Sequence, residues 1–330
     1  MRILVTGAAG FVGSHLCEKL ANLGHEVIGL DSFTDYYDRA LKERNAEDVR
    51  RAGAYFVEAD LCTDNLARFV EHADAICHLA AQPGISAHVP MAAYIRNNLL
   101  ATHQLLEAAK KSSSLALFVH TSTSSVYGKR ATDPEDVAPQ PTSYYGVTKL
   151  AGEQLALAYH REHNLPITVL RLFSVYGPRE RPEKLYPRLM ESITSGKPLP
   201  FYEGAEHHKR TFTYVEDALD AYRVVLDKRE VTLGEIFNIG SDNCRTTGEG
   251  IRIVEEIFGK KALLVRVPKR PGDQEYTHAN IEKARRILGY APKTPPEIGL
   301  RKTVKWYLET RRHAALTHHR IPIIVDPYNS

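Results

Sequence analysis

Cysteine is scarce: four residues in 330, at Cys17, Cys62, Cys77 and Cys244, with no C-x-x-C pair among them. That spacing offers neither a disulfide framework nor a thiolate metal site. The cysteines are expected as small, reduced, buried apolar residues, and no metal is expected. Long hydrophobic runs are missing too. Nothing approaches the roughly 20 apolar residues that span a bilayer, so no membrane partner is expected. Neither sign of charge dominates: 43 Lys and Arg against 40 Asp and Glu leave a net charge of +3. Such a balance does not point to nucleic acid. The opening MRILVTG enters a strand with no charged and then apolar leader, so a cytoplasmic location is expected. There are no internal repeats. What remains is an ordinary globular composition, 43 % hydrophobic, with ample material for a core.

The first half alternates short β-branched runs with longer helical patterns. Strands are expected at 2–6, 26–31, 54–58, 75–79, 117–121 and 168–172. Helices are expected at 13–23, 66–70, 92–111 and 145–163, and the serine run 112–114 reads as a loop. This alternation indicates an α/β fold, a doubly wound parallel sheet. Prolines interrupt the second half, which reads as a smaller α/β region from about Val175. FTYVEDALDAYRVVL and FNIGS read as an excursion back to the first domain. The expected organisation is therefore a cofactor domain at 1–174 plus about 212–240, a substrate domain at 175–211 and 241–310, and a tail at 311–330. The basic residues near Arg311, Arg312, His318, His319 and Arg320 read as a solvated tail.

ILVTGAAGFVGSHL carries Gly7, Gly10 and Gly13 in a G-x-x-G-x-x-G run between a strand and a helix. Glycine permits the tight turn, lets backbone approach a pyrophosphate, and lets helix pack on strand; the helix N-terminus then receives the phosphates. Phe11 and Val12 belong to the same run. Asp31 closes the second strand, followed by Ser32. A carboxylate there accepts from a ribose 2′-hydroxyl and repels a 2′-phosphate, which selects NAD over NADP. Asp60 and Leu61 after the third strand, and Leu79, Ala80, Ala81 and Gln82 after the fourth, belong to the same pocket by position, as does Thr121 on the fifth.

SYYGVTK places Tyr145 and Lys149 four residues apart, hence on one helix face. A phenol with an ordinary pKa near 10 is a poor base at neutral pH. A neighbouring ammonium and an oxidised nicotinamide favour the phenolate, so a depressed Tyr145 pKa is expected. The fifth strand ends in VHTSTSSVYG, where Thr123, Ser124 and Ser125 are candidates to bind a substrate oxygen.

TGAAGFVG, LAAQ, the hydroxyl-bearing VYG segment, YYGVTK, LRLFSVYGPR, RTFTYVEDA and RPGD occur in this order over residues 1 to about 308. Together they resemble the extended short-chain dehydrogenase/reductase family, in its nucleotide-sugar epimerase and dehydratase branch. The resemblance implies Thr123, Tyr145 and Lys149 as catalytic residues and Asn98 near the nicotinamide half. It implies Arg210, Arg270 and Asp273 on the nucleotide's phosphates and ribose, and Phe201 and Tyr202 around the uracil. A homodimer through the helices at 92–111 and 145–163 is implied as well.

SVYGPRERPE and DSFTDYYDRALKERN resemble the UDP-glucuronate 4-epimerase branch. Ser124, Ser125, Ser174 and Arg181 form a donor set fit for a sugar carboxylate. Two departures from that branch stand out. PGISAH offers Ser86 and His88 where an arginine is usual, and RTFTY lacks the acidic residue common after the arginine. The implied reaction is removal of the 4-hydroxyl proton by Tyr145, a 4-keto sugar that turns over, and reduction from the other face. Rival readings are a UDP-glucose or UDP-N-acetylglucosamine 4-epimerase and a UDP-glucuronate decarboxylase. A non-catalytic NAD-binding scaffold is a further alternative.

Overall fold

The computed structural model describes residues 1–86, 88–269 and 276–316, without the side chains of 313–316. Seven parallel strands form the central sheet: β1 (Arg2–Thr6), β2 (Glu26–Asp31), β3 (Tyr55–Glu58), β4 (Ala75–His78), β5 (Leu117–Thr123), β6 (Ile167–Leu172) and β7 (Ile236–Ile239). They lie in the order β7-β6-β5-β4-β1-β2-β3. The order reverses between β1 and β4, and a sheet that reverses there opens a crevice at the carboxyl ends of its strands.

Successive side chains on a strand face opposite ways. Ile3 and Val5 of β1 therefore enter one apolar cluster with Cys77 and Val119, while Leu4 enters another with Ile76 and Phe118. Both faces are covered, which is why these strands read as continuous apolar runs. The six expected strands are present with ends shifted by at most two residues, and FNIGS supplies the seventh, β7.

Three elements differ from expectation. Helix α1 (Phe11–Asn22) is followed, after β2, by α2 (Arg39–Arg51), which the pattern RALKERNAEDVRR concealed. Its inward stripe is Lys42, Asn45, Ala46 and Val49, helical in spacing but half polar in content. The helix expected at 92–111 is wound in three pieces: Met91–Tyr94, a wider π turn at Ile95–Leu100, and Ala101–Ala109. Residues 311 and 312 are not tail but belong to the helix Pro296–Leu316. Arg311 donates to Glu191 and, at 2.6 Å, to the Tyr307 hydroxyl. His318, His319 and Arg320 lie outside the described residues.

The second half builds small sheets over the crevice. Cys244–Thr246, Lys209–Thr211, Tyr276–Thr277 and Arg130–Ala131 form one, so the first half lends a strand to the second. Leu199–Tyr202 pairs with Leu264–Val267, and Val175–Tyr176 with Thr213–Tyr214. No described helix is long and apolar enough to cross a membrane.

Candidate functional site

A cleft of about 600 Å³ lies over the switch point, walled by both halves. On the sheet side, Gly7, Gly10, Phe11, Val12, Gly13, Asp31, Ser32, Asp60, Leu61, Leu79, Ala80, Ala81 and Thr121 all line it. Gly7 has φ +74°, and a Cβ there would stand 2.8 Å from the Ala80 nitrogen. A Cβ on Gly13 would stand 2.1 Å from the Gly7 carbonyl oxygen. The loop is therefore main chain packed on main chain, leaving the start of α1 open to a ligand. These are the contacts a dinucleotide pyrophosphate cradle requires.

Asp31 braces that loop. Its carboxylate accepts from the Ala9 nitrogen at 3.0 Å and the Phe33 nitrogen at 2.8 Å. Burial raises its pKa against those two bonds. Asp60 accepts from Arg96 at 2.7 Å and from the Cys62 nitrogen at 2.8 Å. Asn98 sits on the π turn behind the cleft wall. It accepts from the Gln82 nitrogen at 2.7 Å and donates to the Thr148 hydroxyl at 2.9 Å. The wide turn thus ties the segment after β4 to the helix Tyr144–His163.

That helix starts at Ser143, whose hydroxyl accepts from the Gly146 nitrogen at 3.1 Å. Tyr145 and Lys149 face the cleft one turn apart. The Tyr145 phenol stands next to Thr123, at the end of β5, and both line the cleft. Lys149 Nζ donates to the Thr121 carbonyl at 2.5 Å. Burial pulls the Lys149 pKa down to about 8. The Tyr145 phenol lies above its ordinary value, against expectation. Burial dominates, and the Thr123 hydroxyl and the Arg181 charge only partly offset it. Ser124 and Ser125 begin a short 3-10 turn and line the cleft beside Tyr145.

The opposite wall carries Ser174, Arg181, Phe201, Tyr202 and Arg210, all facing the cleft. Arg181 Nη1 lies 2.7 Å from Glu183 Oε1 as an ion pair, without a well-aligned hydrogen bond, and is buried. The guanidinium also stands over the Tyr36 ring, 5.6 Å from its centroid. A buried arginine nitrogen with no aligned acceptor suits a ligand carboxylate. The adjacent turn is anchored to the sheet side. Arg179, at φ +66°, pairs with Glu18 at 2.5 Å and Asp48 at 2.8 Å, on α1 and α2. His15 Nε2 meets the Pro178 carbonyl at 2.9 Å.

Several cleft residues escaped the reading of the sequence: Tyr36, Tyr37, Lys42, Glu180, Glu183, Lys184, Arg188 and His208. Burial raises the Glu180 carboxyl and lowers the Lys184 amine. DYYDRALK was the signal for the first three, since a helix over 39–51 would have turned Lys42 inward. Arg270 and Asp273 lie outside the described residues. Ser86 accepts from the His88 nitrogen at 3.2 Å. Among the described residues no cluster of His, Cys, Asp or Glu is placed to hold a metal ion.

The profile of the NAD dependent epimerase/dehydratase family matches residues 3–240. The chain is similar to UDP-glucuronate 4-epimerase 4 of Arabidopsis thaliana, at 38 % identity over 328 residues, 93 % of this chain and 75 % of that one. It is also similar to the uncharacterized UDP-glucose epimerase YtcB of Bacillus subtilis (strain 168), at 39 % identity over 311 residues, 93 % of this chain and 98 % of that one. A crystal structure of UDP-glucuronic acid 4-epimerase from Bacillus cereus, in complex with UDP-glucuronic acid and NAD, superposes with a TM-score of 0.89. That protein is 37 % identical, and the match covers 94 % of this chain and all of its own. With its crevice, glycine-rich loop and Tyr145–Lys149 pair, this chain belongs to the NAD dependent epimerase/dehydratase family.

Proposed function

We propose that the protein is an NAD-dependent isomerase that inverts C4 of a UDP-sugar, converting UDP-glucuronate to UDP-galacturonate through a 4-keto intermediate. The observation that carries this reading is one cleft holding Tyr145 beside Thr123, Lys149, and Arg181 with its Nη1 buried. The relatives named above act on sugars of this class.

In this reading the glycine loop and Asp31 hold NAD, Asp31 on the adenosine ribose, with Asp60, Leu61 and the Leu79–Ala81 backbone along its length. NAD⁺, when bound there, would supply the hydride acceptor and donor for C4 and a positive charge beside the phenol. Tyr145 takes the proton of the sugar 4-hydroxyl and gives it back after the ketone has turned. Thr123 bonds the same oxygen and shares that proton. Lys149, while protonated, supplies a positive charge on the same helix face as the phenol. Because burial holds Tyr145 high, the side chains alone do not make it a base at neutral pH. The residual shift has to come with the charged cofactor.

Arg181, with Ser124, Ser125 and Ser174, takes the sugar carboxylate. Phe201, Tyr202 and Arg210 take the uridine and diphosphate end. A 4-keto glucuronate is a β-keto acid prone to lose CO₂, and a carboxylate held near the ketone plane resists that loss. Product chromatography after incubation with UDP-glucuronate tests the assignment. UDP-galacturonate is expected, and UDP-pentose would replace this reading with a decarboxylase. A second reading, a UDP-glucose 4-epimerase, is favoured by Glu183, which already balances the Arg181 charge at 2.7 Å. The ratio of kcat/KM on the two sugars separates them.

The homodimer belongs to this proposal. Ile95 and Leu100 on one helix stretch, and Tyr144 and Val147 on the next, are exposed apolar residues on the two helices expected at the interface. Light scattering at micromolar protein should give twice the chain mass, and a monomer would refute it. The four free cysteines suit a reducing compartment such as the cytoplasm.

A further inference from the structure

Behind the catalytic pair lies a second layer of charge that the mechanism above leaves without a task. The helix Tyr144–His163 meets β5 through contacts one turn apart. Tyr145 stands beside Thr123, Lys149 Nζ donates to the Thr121 carbonyl at 2.5 Å, and Ser122 Oγ donates to Glu153 Oε2 at 2.6 Å. Glu153 has no solvent exposure. Arg171 of β6 clasps it twice, Nη2 to Oε1 at 2.6 Å and Nε to Oε2 at 3.0 Å. Arg171 donates also to the Tyr127 hydroxyl at 2.6 Å, and that hydroxyl donates to Asn238 of β7 at 2.9 Å. Lys149 and Glu153 are thereby fixed to β5, and Glu153 also to β6 and, through Arg171 and Tyr127, to β7.

Apolar residues of equal volume usually fill such a space at no loss of stability. The charge is therefore better explained by what it does to its neighbours. Glu153 follows Lys149 by four residues, so carboxylate and ammonium share a helix face. Among the described residues, the phenol of Tyr145, raised by burial, and two nearby imidazoles bring Lys149 no compensating charge in the absence of cofactor. The buried imidazoles of His78 on β4 and His120 on β5 are held neutral, pushed far down by burial and then by Lys149 itself. Among the described residues Glu153 is the acid whose charge reaches Lys149.

We propose that Glu153 is a positioning residue of the reaction: it keeps Lys149 an ammonium, in register with Thr121 and Tyr145, where burial alone would discharge it. Arg171 orients that carboxylate and limits its charge. The inference rests on the epimerase reading for its activity assay, but not for its titration.

The test is the pH profile of kcat for the full-length protein with NAD and UDP-glucuronate. In the parent protein the alkaline limb should fall near pH 8, where Lys149 loses its proton. Glu153→Gln keeps the shape and a partner for Ser122, and should move that limb about one pH unit toward acid. Ultraviolet difference titration against Tyr145→Phe, with NAD bound, reads the phenol directly. In Glu153→Gln its phenolate should appear at higher pH, because the ammonium beside it is lost earlier. A limb and a phenol titration that stay in place, with activity lowered equally at every pH, would overturn the proposal. If Glu153→Gln does not fold, Glu153→Met with Arg171→Met removes both charges at similar volume. It must then still show an acid-ward shift, smaller than that of Glu153→Gln because the Arg171 cation is gone as well, or the proposal is wrong. A parent protein inert toward every UDP-sugar defeats the functional reading alone, since the phenol titration still decides this one.

Discussion

Around Gly7 and Gly13 the cleft wall is main chain locked against main chain, whereas around Arg181 it is a set of long side chains held by ion pairs. The first wall cannot take even one more carbon atom. The second can exchange a side chain without moving the backbone. The difference suits what the proposed reaction asks of each: a dinucleotide held in one place, and a sugar that turns over inside the cleft. Rigidity comes from the backbone and selectivity from replaceable side chains.

This contrast can be broken by substitution. The largest effect is expected at the seam, where Tyr145→Phe should cut kcat by about 10³-fold or more, with folding and NAD retention intact. Inversion at the parental rate would remove the chemical basis of the assignment. Next comes Gly13→Ala on the rigid side. Its Cβ would stand 2.1 Å from the Gly7 oxygen. A loss of about 2–4 kcal/mol, with purified protein lacking bound NAD, is expected from thermal melts and absorbance. An unchanged melt would mean that this wall yields. On the other side, Arg181→Ala should lower kcat/KM for UDP-glucuronate by about 100-fold, and that for UDP-glucose by no more than about threefold. Equal losses on both sugars would mean that Arg181 shapes the cleft rather than reading a carboxylate. The smallest effect is expected for Ser143→Ala, which removes a helix cap at 3.1 Å. It should cost about 1 kcal/mol in denaturant titrations and leave the product ratio unchanged.

The same division decided what the sequence revealed. The glycine run, Asp31, and the four-residue step from Tyr145 to Lys149 are local patterns, each with a physical requirement for its residue types. Lining of the cleft by Thr123, Ser124 and Arg181 followed from short motifs as well. What stayed hidden is long-range. Arg179 lies 161 residues from Glu18 and 131 from Asp48 in the chain, so nothing local announces that the turn after β6 is pinned to α1 and α2. Nothing local marks Arg171 and Glu153, 18 residues apart on a strand and a helix, as the buried pair they form when the sheet brings them together. The phenol of Tyr145 moved opposite to expectation because spacing shows the neighbouring lysine but not the burial, which dominates over the Thr123 and Arg181 contributions. Helix α2 was concealed because Lys42 and Asn45 occupy its inner stripe.

Asp31 binds the glycine loop through the Ala9 nitrogen while its carboxylate faces the cleft. In the proposed reading, selection of the cofactor and closure of its own loop therefore fall to one and the same group. A neutral or basic residue introduced there to welcome a phosphorylated dinucleotide would also unlatch the turn that has to grip it. Re-engineering this enzyme toward such a cofactor needs a second, compensating donor–acceptor pair for Ala9 before the first change can succeed.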